Sequence, residues 1–135
     1  MRPVLPDIDG LVVAALADGL TDATVRVDVP ADWPDRLPLV VARRVPGGRT
    51  DARGIDVALI DVQALATDRR QASRLARVAR VVLADACRSQ YRGPDGYLNR
   101  FEDVSGPAEI RAGSPEPGPG LFRFQATYRV TARPI

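Results

Sequence analysis

The stretch from Phe122 to Arg133 constrains the fold of this chain more than any other. Phe122, Phe124, Ala126, Tyr128, Val130 and Ala132 alternate there with Arg123, Gln125, Thr127, Arg129, Thr131 and Arg133. A period of two sends successive side chains to opposite faces of a strand, so one face is apolar and the other polar. Such a strand suits an antiparallel sheet packed on one side and wetted on the other.

Two segments supply helices for the packed side. From Asp7 to Leu20, Ile8, Leu11, Val12, Ala15, Leu16 and Leu20 recur at three- and four-residue steps, the spacing of one helical face. Asp7 and Asp9 suit its positive end, and Gly19 is a natural stop. In the second, Thr67 or Asp68 caps a stripe of Ala72, Leu75, Ala76, Ala79, Val82, Leu83 and Ala86 running to about residue 88. Four of those seven stripe residues are alanine, so this helix is expected to lie close on the sheet. Arg69, Arg70, Arg74, Arg77, Arg80 and Arg88 fall mostly on or beside its solvent side, either as a plain wetted face or as a contact row.

The remaining strands are less regular. Val25, Val27 and Val29 alternate with charged residues, and Leu39 to Arg44 reads as a more fully buried strand. Ile55 to Ala64 reads as a third, with a change of phase at Leu59-Ile60 that predicts a bulge or a switch of exposed face. Tyr97 to Ile110 reads as an irregular strand interrupted by Gly106-Pro107. Loops are expected at 30–38, which holds three prolines, at 45–54, where Pro46-Gly47-Gly48-Arg49 has turn chemistry, and at 113–120. The 45–54 segment is expected to form a long flexible arm inside a hairpin. The whole reads as one domain over residues 1–135, of α+β class. Its expected order is α-β-β-β-α-β-β, giving a mostly antiparallel four- to five-stranded sheet with both helices on one face.

At 135 residues the chain can bury a core without disulfides or metals. Its longest apolar runs, Leu11 to Ala17 and Leu37 to Ala42, are too short to cross a bilayer, which takes about 20 residues. No secretory signal is readable in the first residues, so the protein is expected to stay in the cytoplasm where it is made. All 19 basic residues are arginine, yet the net charge is only +2, too small to argue for non-specific nucleic-acid binding unless local patches exist.

Catalytic equipment is sparse. There is no histidine or lysine to activate a serine or the single Cys87, which is expected to be a buried or half-buried thiol. The carboxylate pairs Asp7 and Asp9, and Asp56 and Asp61, are better read as helix-start residues and as polar positions on a half-exposed strand than as acid–base or magnesium sites. No phosphate loop or zinc spacing is present, so no cofactor or metal is expected and the chain does not read as an enzyme. Trp33, within Trp33-Pro34-Asp35-Arg36-Leu37-Pro38, is either an interface anchor or a plug over one end of the core.

Several phrases carry a resemblance over nearly the whole chain. They are Leu5-Pro6-Asp7-Ile8-Asp9-Gly10-Leu11-Val12, the run from Val29 to Val41, the junction from Ile60 to Ala72, Asp103-Val104-Ser105-Gly106-Pro107, and the close from Ala126 to Pro134. Together they resemble the tail terminator proteins of tailed, siphophage-type actinobacterial bacteriophages. The resemblance implies a virion structural protein at the head–tail junction, forming a hexameric ring that caps the tail tube, ends its polymerisation and offers the head its attachment surface. It implies as partners other copies of the chain, the major tail tube protein and head–tail connector or neck proteins, with passing contact with phage DNA and none with membrane. A ring of this kind is closed by a heterologous interface. Candidate interface residues are Trp33, Arg36, Arg43, Arg44, Arg49 and Arg53, with Arg44, Arg49 and Arg53 available to DNA or the lumen or simply solvated. A neck or head-closure protein and a small nucleic-acid-binding domain are the alternatives.

Overall fold

The computed structural model describes residues 3–111 and 120–135, so all but the last residue of the 113–120 loop lies outside the described residues. Two helices, α1 (Ile8–Gly19) and α2 (Arg69–Arg88), pack on a sheet of β1 (Thr24–Arg26), β2 (Leu39–Thr50), β3 (Asp56–Ala66), β4 (Gly96–Ile110) and β5 (Phe122–Pro134). The strand order is β1-β2-β3-β5-β4. β1 runs parallel to β2 and every other neighbouring pair is antiparallel, as the α+β reading expects. β3 and β5 form its spine, in register from Asp56 opposite Ala132 to Ala66 opposite Phe122 without a shift.

The alternation of β5 places Phe124, Ala126, Tyr128, Val130 and Ala132 under the helices, all of them buried. Val40, Ala42, Ala58, Ile60, Val62 and Ala64 join them from β2 and β3, while Leu11, Val12, Leu16, Leu75 and Leu83 descend from α1 and α2. Each large aliphatic side chain fully removed from water, such as Leu16, Ile60 or Leu83, contributes about 1.5–3 kcal/mol. On α2 the alanines 72, 76, 79 and 86 are buried as the stripe predicts, with Cys87 beside them, while Val82 is only half-buried.

Both helix starts follow from a side-chain cap. The Asp7 carboxylate accepts from the Gly10 N–H at 3.1 Å, and the Asp68 carboxylate from the Gln71 N–H at 3.2 Å. Gly19 has a different use from the expected stop, for it is the last helical residue and Leu20 is the cap. A Cβ at Gly19 would stand 2.4 Å from Val82 Cγ1, so glycine is what lets α1 meet α2.

Four expectations are corrected. First, the strand expected over Val25, Val27 and Val29 pairs only at Thr24–Arg26, after which the chain leaves the sheet toward Pro30 and Val29 is exposed. Second, the 30–38 loop contains a 3-10 turn at Trp33–Arg36, with Pro34 in its first turn, where its missing N–H costs nothing.

Third, residues 45–50 are strand rather than loose arm. β2 continues to Thr50 and absorbs the extra residues in a bulge between Val45 and Arg49. Gly47 takes φ +121° there, and a Cβ at Gly48 would strike the Val57 carbonyl oxygen. The hairpin tip is short and closed on itself, since the Asp51 carboxylate accepts from the Arg53 and Ile55 N–H groups.

Fourth, β3 does not change phase. Asp56, Ala58, Ile60, Val62 and Ala64 all face the helices and are buried, while Val57, Leu59 and Asp61 face away. Ile55, Val57 and Leu59 had suggested the opposite face because a carboxylate, Asp56, occupies a core-facing position. The irregularity lies instead on β2 and on β4, where register shifts fall at Leu98/Arg100, Asp103/Ser105 and Ser105/Ala108, around the expected Gly106-Pro107 interruption.

Candidate assembly surfaces

Among the described residues, one face of the sheet has no covering layer apart from one corner. Cross-strand register defines it: Arg43, Asp61, Thr127 and Ser105 form one row, Leu59 and Arg129 with Val45 and Glu102 the next, and Arg49, Val57, Thr131 and Arg100 a third. Directly opposed residues on antiparallel strands point to the same side, so these rows share one surface. Asp61 organises its centre by accepting from the Gln63 side-chain amide at 3.0 Å and from that of Gln125. Glu102 lies between Arg100 at 3.5 Å and Arg129 at 3.6 Å, two cations on one carboxylate. A shallow cleft of about 250 Å³ opens beside them, lined by Val29, Arg43, Asp61 and Arg123 among others.

Trp33 covers the corner. Leu39, Val41 and Leu65 are buried on the helix-free side, and Trp33, Leu37 and Leu121 pack against them. Trp33 is half-buried there, over a small second core. Arg36 follows in the same turn and pairs with Asp32 at 2.8 Å, with both side chains about half exposed.

The other candidate arginines are scattered rather than clustered. Arg43 lies on the helix-free face and pairs with Asp28 at 2.9 Å. Arg53 pairs with Asp51 at 2.8 Å at the hairpin tip. Arg49 is exposed and makes no ion pair among the described residues. Arg44 points to the opposite side, where its guanidinium grips both oxygens of Asp56, and its backbone N–H donates to Asp9 at 2.6 Å. Asp56 is 1% exposed, and the bond to it pushes the Arg44 pKa up despite partial burial. Arg44 and Asp56 thus staple β2 to β3 beneath the start of α1. The pairs read as Asp7 with Asp9 and Asp56 with Asp61 are separated by geometry: one caps a helix, one holds a strand N–H, one is buried and one lies on the helix-free face.

Arginines of α2 also have specific partners. Arg80 makes a two-pronged bond to Asp103, and Arg69 meets Glu109 at 3.0 Å, tying α2 to β4. The guanidiniums hold both carboxyls below their usual range. The edges of the sheet are poor templates for further pairing. β1 has three residues, and β4 is broken by its three shifts and by Pro107. Cys87 is buried, and burial pushes its thiol up to about 12, so no thiolate is available at neutral pH.

Arg100 and Glu102 were left unsingled by the sequence, and Asp56 was read there as a half-exposed polar position rather than a buried one. Asp56 carried a signal, a charge one residue out of step with its apolar neighbours. Arg129 and Arg133 were visible as the polar side of β5, but only the register shows that Arg100 joins them.

The surface to be explained is therefore a broad, arginine-bearing sheet face on a subunit whose helix side is already closed. A comparison with curated proteins finds no match. The family model described as phage tail termination protein matches residues 4–135, so this chain belongs to the phage tail termination protein family and is a structural protein of the phage tail.

Proposed function

We propose that this chain forms a cyclic hexameric ring at the end of the tail tube, stops the tube from growing and offers the head its attachment surface. The reading rests on membership of the tail termination family. The observation that carries it is the helix-free sheet face. Its helices cover the core on one side of the sheet, and the second face at the β3–β5 spine bears the arginines, a residue type enriched where chains meet. Partners on this reading are other copies, the major tail tube protein and the connector or neck proteins, at the head–tail junction of the virion. The exposed Arg49, beside the hairpin tip, is the arginine best placed to meet DNA phosphates passing through the ring.

Electron microscopy of tails made without this chain tests the proposal. Tubes of uncontrolled length are expected. Tubes of normal length that fail to join heads would make it a neck or head-closure protein instead. A role for Arg49 and Arg53 at the lumen predicts that exchanging both for glutamate disturbs tail length or head joining, and normal particles would remove that role.

A further inference from the structure

Helix α1 and the helix-free face carry opposite charge, although the exposed arginines of α2 share the helix side and Arg74 lies beside Asp22. By strand register the helix-free face carries Arg43, Arg100, Arg123, Arg129 and Arg133, with Arg49 at its margin beside the hairpin tip. Among the described residues, Asp61 and Glu102 are the acids that lie among them, with Asp28 at the margin. Helix α1, on the other side of the molecule, contains no basic residue. Its outward side presents Ala14, Ala17 and Asp18, flanked by exposed Asp7, Asp22 and Asp95. Its small residues make a low ridge that a flat sheet can approach closely. Beside that ridge lies a hollow of about 490 Å³ bordered by Asp7, Gly10, Ala14 and Asp95, together with Arg92, whose guanidinium stacks over Tyr97.

We propose that the arginine-bearing sheet face of one copy docks on the acidic outer side of α1 of the next. This rests on the ring reading and names the surfaces that close the ring. The contact is heterologous, front to back, as a cyclic assembly requires. A second copy is favoured as the occupant because the same chain supplies both a cationic face and an anionic one. Opposite potentials across an interface steer encounter and fix register, while like charges brought face to face oppose it.

The test compares the purified chain with three variants, both free and added to tail tubes, using sedimentation and electron microscopy. One variant carries Arg100→Glu with Arg133→Glu, one Asp18→Arg with Asp22→Arg, and one all four. All should melt within a few degrees of the unsubstituted chain, since Asp18, Asp22 and Arg100 are exposed and Arg133 is half-buried, the bond lost from Asp18 being that to the exposed Tyr91 hydroxyl. Each two-site variant should need at least tenfold more protein to form rings, and the four-site variant, with both surfaces reversed, should recover. Ring formation should also weaken from low salt to 1 M, where screening reaches about 3 Å.

Two-site variants that assemble as the unsubstituted chain does would overturn these surfaces and leave the ring intact. An unsubstituted chain that forms no ring, free or on tubes, would overturn the ring reading and this inference with it. A short DNA duplex is the control ligand: if Arg100→Glu with Arg133→Glu abolishes duplex binding but spares assembly, the face serves nucleic acid and the proposal fails.

Discussion

Along β5 every step of one residue crosses from a dry face to a wet one. Ala126, Tyr128 and Val130 are sealed beneath the helices, while Thr127, Arg129 and Thr131 stand on the helix-free side. The dry face is specified by volume, because alanines on α2 and Gly19 on α1 set how close the helices come. The wet face is specified by charge and hydrogen bonds, with Asp61 holding two amides and Glu102 shared by two arginines. On the proposed reading, stability and assembly are drawn from opposite sides of the same strands. Substitutions on one side should change melting, and those on the other should change association.

The strongest way to break that division is in the core. Leu16→Ala should cost about 3 kcal/mol, since Leu16 is fully buried between α1 and the sheet, and a two-state melt should show it as a drop of roughly 10 °C. Arg44→Ala comes next, because it abandons the buried Asp56 carboxylate. A loss of about 2–3 kcal/mol is expected in urea unfolding, at the low end for a buried pair because Arg44 itself is a third exposed. Restoring a match with Arg44→Met and Asp56→Leu together should recover most of it.

Gly19→Ala sharpens the comparison through its sign. Alanine normally favours a helix over glycine by up to about 1 kcal/mol, but here its Cβ would press on the stiff Val82 side chain, so a net loss of about 1 kcal/mol is expected. A gain would mean that the two helices are not in close contact.

Tyr128→Phe should be neutral or stabilising by about 0.5–1 kcal/mol, because the Tyr128 hydroxyl is buried and has no hydrogen-bond partner among the described residues. The same hydroxyl makes stability depend on high pH. Burial, helped by the Asp103 charge, pushes Tyr128 up to about 12 from 10.0, and burial alone pushes Cys87 up to about 12 from 9.0. Both groups stay protonated in the folded chain where the unfolded chain ionises. Their stabilisation is whole below pH 9 and is lost as the pH climbs toward 12. Tyr128→Phe with Cys87→Ala should flatten that alkaline limb in melts taken across the range. Smallest of all, Thr127→Val on the helix-free face should move stability by no more than about 0.5 kcal/mol.

Much of the dry face was legible in the sequence, because periodicity reports burial directly. The β5 alternation, the α2 stripe and the Asp7 and Asp68 caps all lie where they were read. What escaped was set by pairing rather than by pattern. The bulge that carries β2 through Pro46-Gly47-Gly48 depends on β3 lying alongside, and those residues alone spell a turn. Asp56 misled the phase of β3 because a paired buried carboxylate looks, in sequence, like an exposed one. Of the candidate site, Arg43 and Arg49 of β2 were seen singly. The face they share with Arg100, Arg129 and Arg133 exists only through cross-strand register.

The central claim is that the helix-free face is covered by protein in the finished tail. Thr127→Cys in a Cys87→Ala background places one thiol in the middle of that face, opposite Asp61. Rates of labelling by a thiol reagent are then compared for free subunits and for intact tails. The account predicts rapid labelling of the free chain and protection of at least tenfold in the tail. Equal rates in both would contradict it.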